Sequence, residues 1–203
     1  MKSRILSITL GAALFVASIP SGAFAAVTRD DFKTYLETRD ALEDGRVQAM
    51  PEARRLPEIA RRNFKLKAEA LQAILDKVEA EGGEKGVADQ AKKAIEAALA
   101  ATGLQERIQE VRVDTSSPHV VTYIKWEGTP DKLDQEAALL ALKAGEASAV
   151  SSTFYLWAVD AKGADLFRAK IGADRTRNIR EDRIEDWATT RYVRLFEIER
   201  LPN

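Results

Sequence analysis

The sequence predicts an α+β protein, in which a helical N-terminal segment of about three helices packs with an antiparallel sheet that carries one inserted helix. Two observations lead to this prediction. Apolar residues recur every three or four positions up to about Gly103, which is typical of amphipathic helices. Beyond Arg107 apolar and polar residues alternate, which is typical of strands. Helices followed by strands favour an antiparallel sheet with helices packed on it.

The N-terminus has the three parts of a secretory signal peptide. Lys2 and Arg4 are basic, an apolar run extends from Ile5 to Ile19, and Ala23-Phe24-Ala25 offers the small residues that signal peptidase accepts. The apolar run is shorter than the roughly 20 residues that a membrane-spanning helix needs. We therefore expect cleavage after Ala25, no membrane anchor afterwards, and a periplasmic or secreted location.

Composition excludes several classes of function. Cleavage would leave 178 of the 203 residues, with a net charge of −3, since the signal segment holds two basic residues and no acidic one. Such a surface has no general attraction for nucleic acid or anionic lipid, so no nucleic-acid partner is expected. The chain has no cysteine, which excludes disulfides, thiolate catalysis and iron–sulfur clusters. An exported protein without disulfides depends on its packed core.

The first helix is predicted from its capping signals. Thr28 followed three residues later by Asp31 is typical of a capping box, and Asp44-Gly45 is a stop signal. The next stretch contains Pro51 and Pro57 and is therefore predicted to be a linker, with Pro57 in the first turn of a second helix.

Two further helices are expected to form an antiparallel hairpin. The second helix has apolar residues at helical spacing from Phe64 through Leu71 to Val78, and it ends at Gly82-Gly83. The third helix is predicted over 84–101. Its apolar face consists largely of small residues, which let a neighbouring helix approach closely.

The second half of the chain predicts the sheet. The expected elements, in chain order, are a hairpin over 107–127, a helix opened by Thr129-Pro130, a hairpin over 154–171, a short helix around Ile179 and a last strand over 191–200. Residues 154–159 are apolar on both alternating faces, which is typical of a central strand covered on two sides. We expect the N-terminal helices to cover its second face, so that segments 26–105 and 106–203 form one integrated domain. Two independent lobes are the alternative.

Recognised catalytic and cofactor motifs are missing from the sequence. His119, the single histidine, lies close to Asp114, Ser116 and Ser117, but a set confined to one tight turn is better explained by ordinary turn formation. Paired histidines and zinc-ligand spacings are absent. We therefore predict no catalytic residue, no metal and no cofactor.

Arginines and aromatic residues supply the candidate binding residues. Arg175, Arg177 and Arg180 are interleaved with acids, and the planar guanidinium suits carboxylate or phosphate. The alternative is a solvent-exposed surface joined by weak ion pairs. Tyr155 and Trp157 are candidates for lining a ligand pocket between sheet and helices, whereas the more common role of such residues is in the core.

These observations lead to a functional hypothesis based mainly on what is missing. The leading hypothesis is an exported, soluble, non-enzymatic protein that acts through contacts with a protein or a small ligand. The alternative is a small-ligand-binding protein with an aromatic-lined pocket, which binds an apolar or anionic molecule with Arg175 or Arg177 at the mouth. An enzyme with unrecognised carboxylate chemistry is the third possibility, because catalytic carboxylates need no sequence motif.

Overall fold

A computed structural model describes residues 26–186 and 192–199 of the chain. The predicted signal peptide, Trp187 and both ends of the predicted last strand lie outside the described residues. The α+β class is confirmed. The described helices are α1 (Arg29–Glu43), α2 (Gly45–Gln48), α3 (Glu52–Ile59), α4 (Ala68–Ala80), α5 (Gly83–Ala100), α6 (Leu133–Ala147) and α7 (Ala173–Thr176). The described strands are β1 (Ile108–Asp114), β2 (Val121–Glu127), β3 (Thr153–Val159), β4 (Asp165–Gly172) and β5 (Glu197–Glu199).

Helix α1 begins with the predicted capping box. The Asp31 backbone N–H donates to the Thr28 hydroxyl at 3.2 Å, and the Thr28 N–H donates to the Asp31 carboxylate at 3.1 Å. The same carboxylate pairs with Lys77 of α4 at 2.6 Å. Phe32 and Leu36 are fully buried. The cap therefore also fixes α1 against α4.

The prediction of a linker after α1 is wrong, because this segment forms the helices α2 and α3. Pro57 lies inside α3, where it has no N–H to donate to the preceding turn. Ile59 and Ala60, at the end of α3, are buried against Val47 of α2 and Leu71 of α4. Burial of these side chains offsets the missing backbone hydrogen bond, and tertiary packing thus overrides the local signal of the prolines.

The predicted hairpin of two helices is present with a later start. Residues Ala60–Phe64 form a π-helical turn that ends at Lys65, whose φ of 57° is left-handed, so α4 begins at Ala68 rather than Phe64. Gly82 and Gly83 connect α4 to α5 with φ values of 91° and 67°, a region that favours glycine.

The sheet is mixed, with strand order β1-β2-β3-β4-β5. Three pairings are antiparallel as predicted, namely β1–β2, β3–β4 and β4–β5. The pairing of β2 with β3 is parallel, which corrects the prediction of a wholly antiparallel sheet. The physical reason is the connection through α6, since a helical crossover returns the chain in the same direction.

The core lies between α5, α6 and the inner face of the sheet. On β2 and β3, Ile124, Trp126, Phe154 and Leu156 are fully buried. They belong to one cluster with residues of α5 and α6, namely Ile95, Leu99, Ala137, Leu140, Ala141 and Ala144. Helices and sheet therefore share this core, whereas the division into one or two folding units stays a prediction.

The outer face of the sheet differs from the prediction. Residues Phe154, Leu156 and Ala158 of β3 point into the core, but Tyr155 and Trp157 are half-buried on the opposite face, which the N-terminal helices do not cover as expected. Both side chains have polar groups that water or surface partners can satisfy. The Tyr155 hydroxyl donates to Glu199 at 2.9 Å, and the Trp157 indole N–H donates to Asp165 at 2.5 Å.

The last strand is shorter than predicted. Within residues 192–199, Tyr192–Leu195 forms a 3₁₀ turn and only Glu197–Glu199 pairs with β4. Phe196, between these two segments, is buried in the main core.

Among the described residues, no helix combines the length and the apolarity that crossing a membrane requires.

Tyr35 provides a prediction about alkaline stability. Its hydroxyl donates to Glu79 of α4 at 2.5 Å, and burial together with this carboxylate raises the pKa of Tyr35 to about 12. A phenol whose pKa rises on folding stabilises the fold fully below its unfolded pKa near 10, and this stabilisation is lost as the pH rises through the folded value.

Replacing Tyr35 by phenylalanine is expected to lower the free energy of unfolding by about 1 kcal/mol at neutral pH. The difference between the two proteins should shrink between pH 10 and pH 12 in urea titrations. A difference that stays constant over this interval would contradict the proposed contribution of the neutral phenol.

Candidate ligand-binding groove

A groove of about 820 Å³ lies on the outer face of the sheet, and it is called the outer groove below. Strand register arranges side chains of this outer face in two cross-strand rows, all of which line the groove except Glu110 and Lys125. The first row contains Arg112, Tyr123, Tyr155, Lys170 and Glu197. The second row contains Glu110, Lys125, Trp157, Arg168 and Glu199. Each of the five strands thus contributes one side chain to each row.

Aromatic rings occupy the centre of both rows. The ring centroids of Tyr123 and Tyr155 are 5.3 Å apart. Arg112 lies 4.1 Å from the ring centroid of Tyr123, and Lys125 lies 4.4 Å from that of Trp157. Stacked cations and neighbouring rings hold one another in place. The floor of the groove is therefore preorganised on rigid strands.

Acids at β5 set the charge on one side of the outer groove. Lys170 pairs with Glu199 at 2.8 Å. The hydrogen bonds from Lys170 and Tyr155 hold the pKa of Glu199 below its ordinary value, and the bond to Glu199 raises the pKa of Lys170. Burial, and then the bond to Glu199, raise the pKa of Tyr155. At neutral pH both members of the ion pair are charged and the Tyr155 hydroxyl is a donor.

One end of the outer groove, where β4 passes into α7, carries a cation and two polar side chains. Arg175 of α7 is exposed and lines this end together with His119, Thr153 and Gly172. His119 Nε2 and Thr153 Oγ1 are 2.8 Å apart and share a hydrogen bond. His119, which the sequence placed in an ordinary turn, precedes β2 and borders the groove.

The sequence-predicted arginine cluster is divided by the fold. Arg175 lines the outer groove beside Tyr155 and Trp157, as the aromatic-pocket alternative requires. Arg177 faces a separate depression formed by α1, α6 and α7. Arg180 hydrogen-bonds to Asp182 at 2.9 Å and is exposed. The three arginines therefore do not form a common site.

The space between sheet and helices is packed with side chains rather than open. The aromatic side chains of Trp126 and Phe154 are fully buried there. The aromatic-lined pocket expected between the layers is thus replaced by a groove on the opposite face. The interpretation as core residues applies to Trp126 and Phe154, whereas ligand binding by Tyr155 and Trp157 stays a prediction.

Comparison of the chain with protein-family models, with curated proteins and with solved structures gives no match. Function must therefore be argued from the site itself. Within residues 26–186 and 192–199, no three potential ligands among His, Asp and Glu side chains gather as a metal ion would require.

Several groove residues were not among the candidates from the sequence, namely Arg112, Thr153, Arg168, Lys170, Glu197 and Glu199. The available signal was the alternation of apolar and polar residues along each strand. Because successive side chains point to opposite faces, Arg112 lies on the other face from Val111, and Lys170 lies on the other face from Ile171. Alternation identifies one face of one strand. It does not give the register between strands, which brings these residues together.

Proposed function

We propose that the protein is an exported, non-enzymatic binding protein that holds a small ligand with a flat ring in the outer groove. The observation that carries this proposal is the position of Tyr123, Tyr155 and Trp157 on the central strands, on the face turned away from the core. Sheet faces that only meet water usually carry polar side chains at these positions. Large rings on the open face supply contact area for a ligand at low cost in conformational entropy.

The dimensions and composition of the groove favour a small molecule over a protein partner. Its volume of about 820 Å³ lies within the ordinary range of small-molecule sites, which combine aromatic surface with a few polar groups. Charged side chains surround the rings on strands β1, β2 and β4. Such groups would orient a ligand rather than provide a broad apolar interface.

The charge state of Glu199 argues against a general acid at this position of the outer groove. A general acid needs a carboxyl group whose pKa is raised toward neutrality. The pKa of Glu199 is instead held low by Lys170 and Tyr155. The proposal therefore assigns to Glu199 the task of positioning Lys170 and Tyr155.

Export to the periplasm or the medium belongs to the same proposal. Ala26 is exposed, Val27 is buried against α5 and Thr28 caps α1. The described fold therefore begins within the part of the chain that would remain after cleavage at the predicted site.

The binding experiment is isothermal titration calorimetry of the purified protein with three compounds that share a naphthalene ring: 1-naphthol, 1-naphthoate and 1-naphthyl phosphate. At least one is expected to bind with a stoichiometry of one. Tyr155→Ala should weaken that binding about tenfold through loss of ring contact. The exposed and remote Leu42 provides the control, and Leu42→Ala should bind like the original protein. Absence of saturable binding by all three compounds, or unchanged binding by Tyr155→Ala, would overturn the proposed function.

A further inference from the structure

We infer that the ligand of the outer groove carries one anionic head, a carboxylate or a phosphate, which binds to Arg175 while the ring of the ligand contacts Tyr155. This inference rests on the proposed function and deepens it by naming the class of ligand. It depends on which cation of the groove is left without an ion pair.

The cations on the sheet already have acidic partners or rings. Arg112 pairs with Asp114 at 3.0 Å, and Lys170 pairs with Glu199 at 2.8 Å. Arg168 pairs with Asp165. Lys125 has no ion pair within the described part of the chain, but it stacks on Trp157. These interactions compensate the positive charges along both rows.

Arg175 is different from these cations. It is exposed, it lines the groove, and no ion pair or side-chain hydrogen bond joins it to another residue of the ranges that the structure describes. Its neighbour Asp174 is paired with Arg29 at 2.7 Å. A guanidinium offers two parallel N–H donors to a carboxylate or phosphate. The two parallel N–H donors of the Arg175 guanidinium are therefore available to a ligand at the end of the groove.

The surroundings of Arg175 are suited to an anionic head. A methyl group added at Gly172 would meet no atom within 4 Å, so there is room between Arg175 and the start of β3. Thr153 lies directly opposite Gly172 in the sheet register. When His119 Nε2 carries its proton, it donates to Thr153, and the Thr153 hydroxyl proton is then free to donate to the ligand.

The distribution of acids gives the ligand one orientation. Glu197 and Glu199 line the β5 edge of the groove, and like charges repel an anionic head from that edge. Arg175 attracts the head at the end where β4 passes into α7, next to the pair of Thr153 and Gly172. A molecule with a single anionic group at one end of a flat ring matches this polarity. A neutral ring lacks the interaction with Arg175.

The three naphthyl compounds test this inference because they share the ring and differ in the head group. At pH 7, at least one of 1-naphthoate and 1-naphthyl phosphate is expected to bind about tenfold more tightly than neutral 1-naphthol, as one charge-assisted contact implies. The tighter anion identifies carboxylate or phosphate as the preferred head. Binding of 1-naphthol as tight as that of both anions would overturn the inference while leaving the proposed function intact.

Arg175→Gln and Arg177→Gln form a matched pair of variants. Both positions are exposed, but Arg177 faces the depression on the other side of α7. Arg175→Gln should reduce the affinity for the anion to that for 1-naphthol, without changing 1-naphthol binding. Arg177→Gln should leave both affinities unchanged. Equal effects of the two substitutions would show that general charge, rather than contact with Arg175, is responsible.

A third variant tests the position of the head without changing charge. Gly172 has an ordinary φ of −66°, so a side chain is tolerated by the backbone there. Gly172→Val should fill the end of the groove and weaken binding of the anion more than binding of 1-naphthol. An anion that binds Gly172→Val with undiminished affinity would contradict the proposed location. Circular dichroism and thermal unfolding verify that each variant is folded.

Discussion

Replacing Glu136 by alanine is expected to cost about 1–3 kcal/mol of stability, the usual effect of leaving buried donors without an acceptor. Glu136 lies in the first turn of α6 and is only 7% exposed. It accepts hydrogen bonds from the Trp126 indole at 3.0 Å and from the Thr129 backbone at 3.1 Å, and it pairs with Arg107 at 2.8 Å. Removal leaves these donors without their acceptor.

The pH dependence of this contribution follows from the same contacts. Burial acts to raise the pKa of Glu136, but the hydrogen bonds from Trp126 and Thr129, together with the ion pair with Arg107, outweigh it and hold the pKa below the ordinary value of 4.5. A carboxyl group whose pKa falls on folding stabilises the fold above its unfolded pKa. The contribution is therefore complete at neutral pH and is lost as the pH falls through the folded value.

Urea unfolding at pH 7 and at successively lower pH measures both effects. Glu146→Ala is the matched control, because Glu146 lies on the same helix, is exposed and pairs only distantly with Lys143, at 3.7 Å. Its cost should stay below about 0.5 kcal/mol. Similar costs for Glu136→Ala and Glu146→Ala would refute the importance of the buried contacts.

The second large effect is expected from Gly145→Ala in α6. An added Cβ would lie 2.1 Å from Thr176 Oγ1 and 2.7 Å from Thr176 Cβ, closer than unbonded atoms approach. Thr176 is buried, and its hydroxyl donates to the Ala173 carbonyl at 2.8 Å, so it cannot turn away without losing this bond. Separation of α6 from α7 is the remaining response, at a cost of about 1–3 kcal/mol.

A double variant distinguishes this clash from an effect of the substitution on the stability of the helix itself. Thr176→Gly removes the clashing atoms, so Gly145→Ala should cost much less in that background. Gly45→Ala is a separate control, since a Cβ at this helical glycine meets no atom within 4 Å and alanine favours helices by about 0.5–1 kcal/mol. Thermal unfolding of these variants provides the measurement. Equal costs of Gly145→Ala with and without Thr176 would exclude the clash.

The sequence predicted the cap of α1 and the positions of β1 to β4 well because these depend on neighbouring residues, whereas the last strand is shorter than predicted. The capping box of Thr28 and Asp31 and the turn at Gly82-Gly83 are local in this sense. Pro57 was misleading for the opposite reason. Its helix is held by contacts of Ile59 with residues distant in the chain, which no local pattern contains.

The candidate site was predicted only in part, because side-chain chemistry can be read from the sequence and contacts between distant strands cannot. Tyr155, Trp157 and Arg175 were named as candidates because of their chemistry, and the fold brings all three to the outer groove. Arg112 and Lys170 reach it through strand register. The apolar pattern of 154–159 implied a covered strand because hydropathy treats Tyr and Trp as apolar, although their polar groups bond to Glu199 and Asp165 at the surface.

The parallel pairing at the centre of the sheet also determines when the protein can fold during synthesis. β2 can join β1 as a local hairpin, but its second edge has no partner until the crossover through α6 has been completed and Thr153 has been made. Until then Ile124 and Trp126 belong to an open, apolar edge, which is a template for aggregation. A nascent chain interrupted before β3 would therefore depend on chaperones to stay out of aggregates.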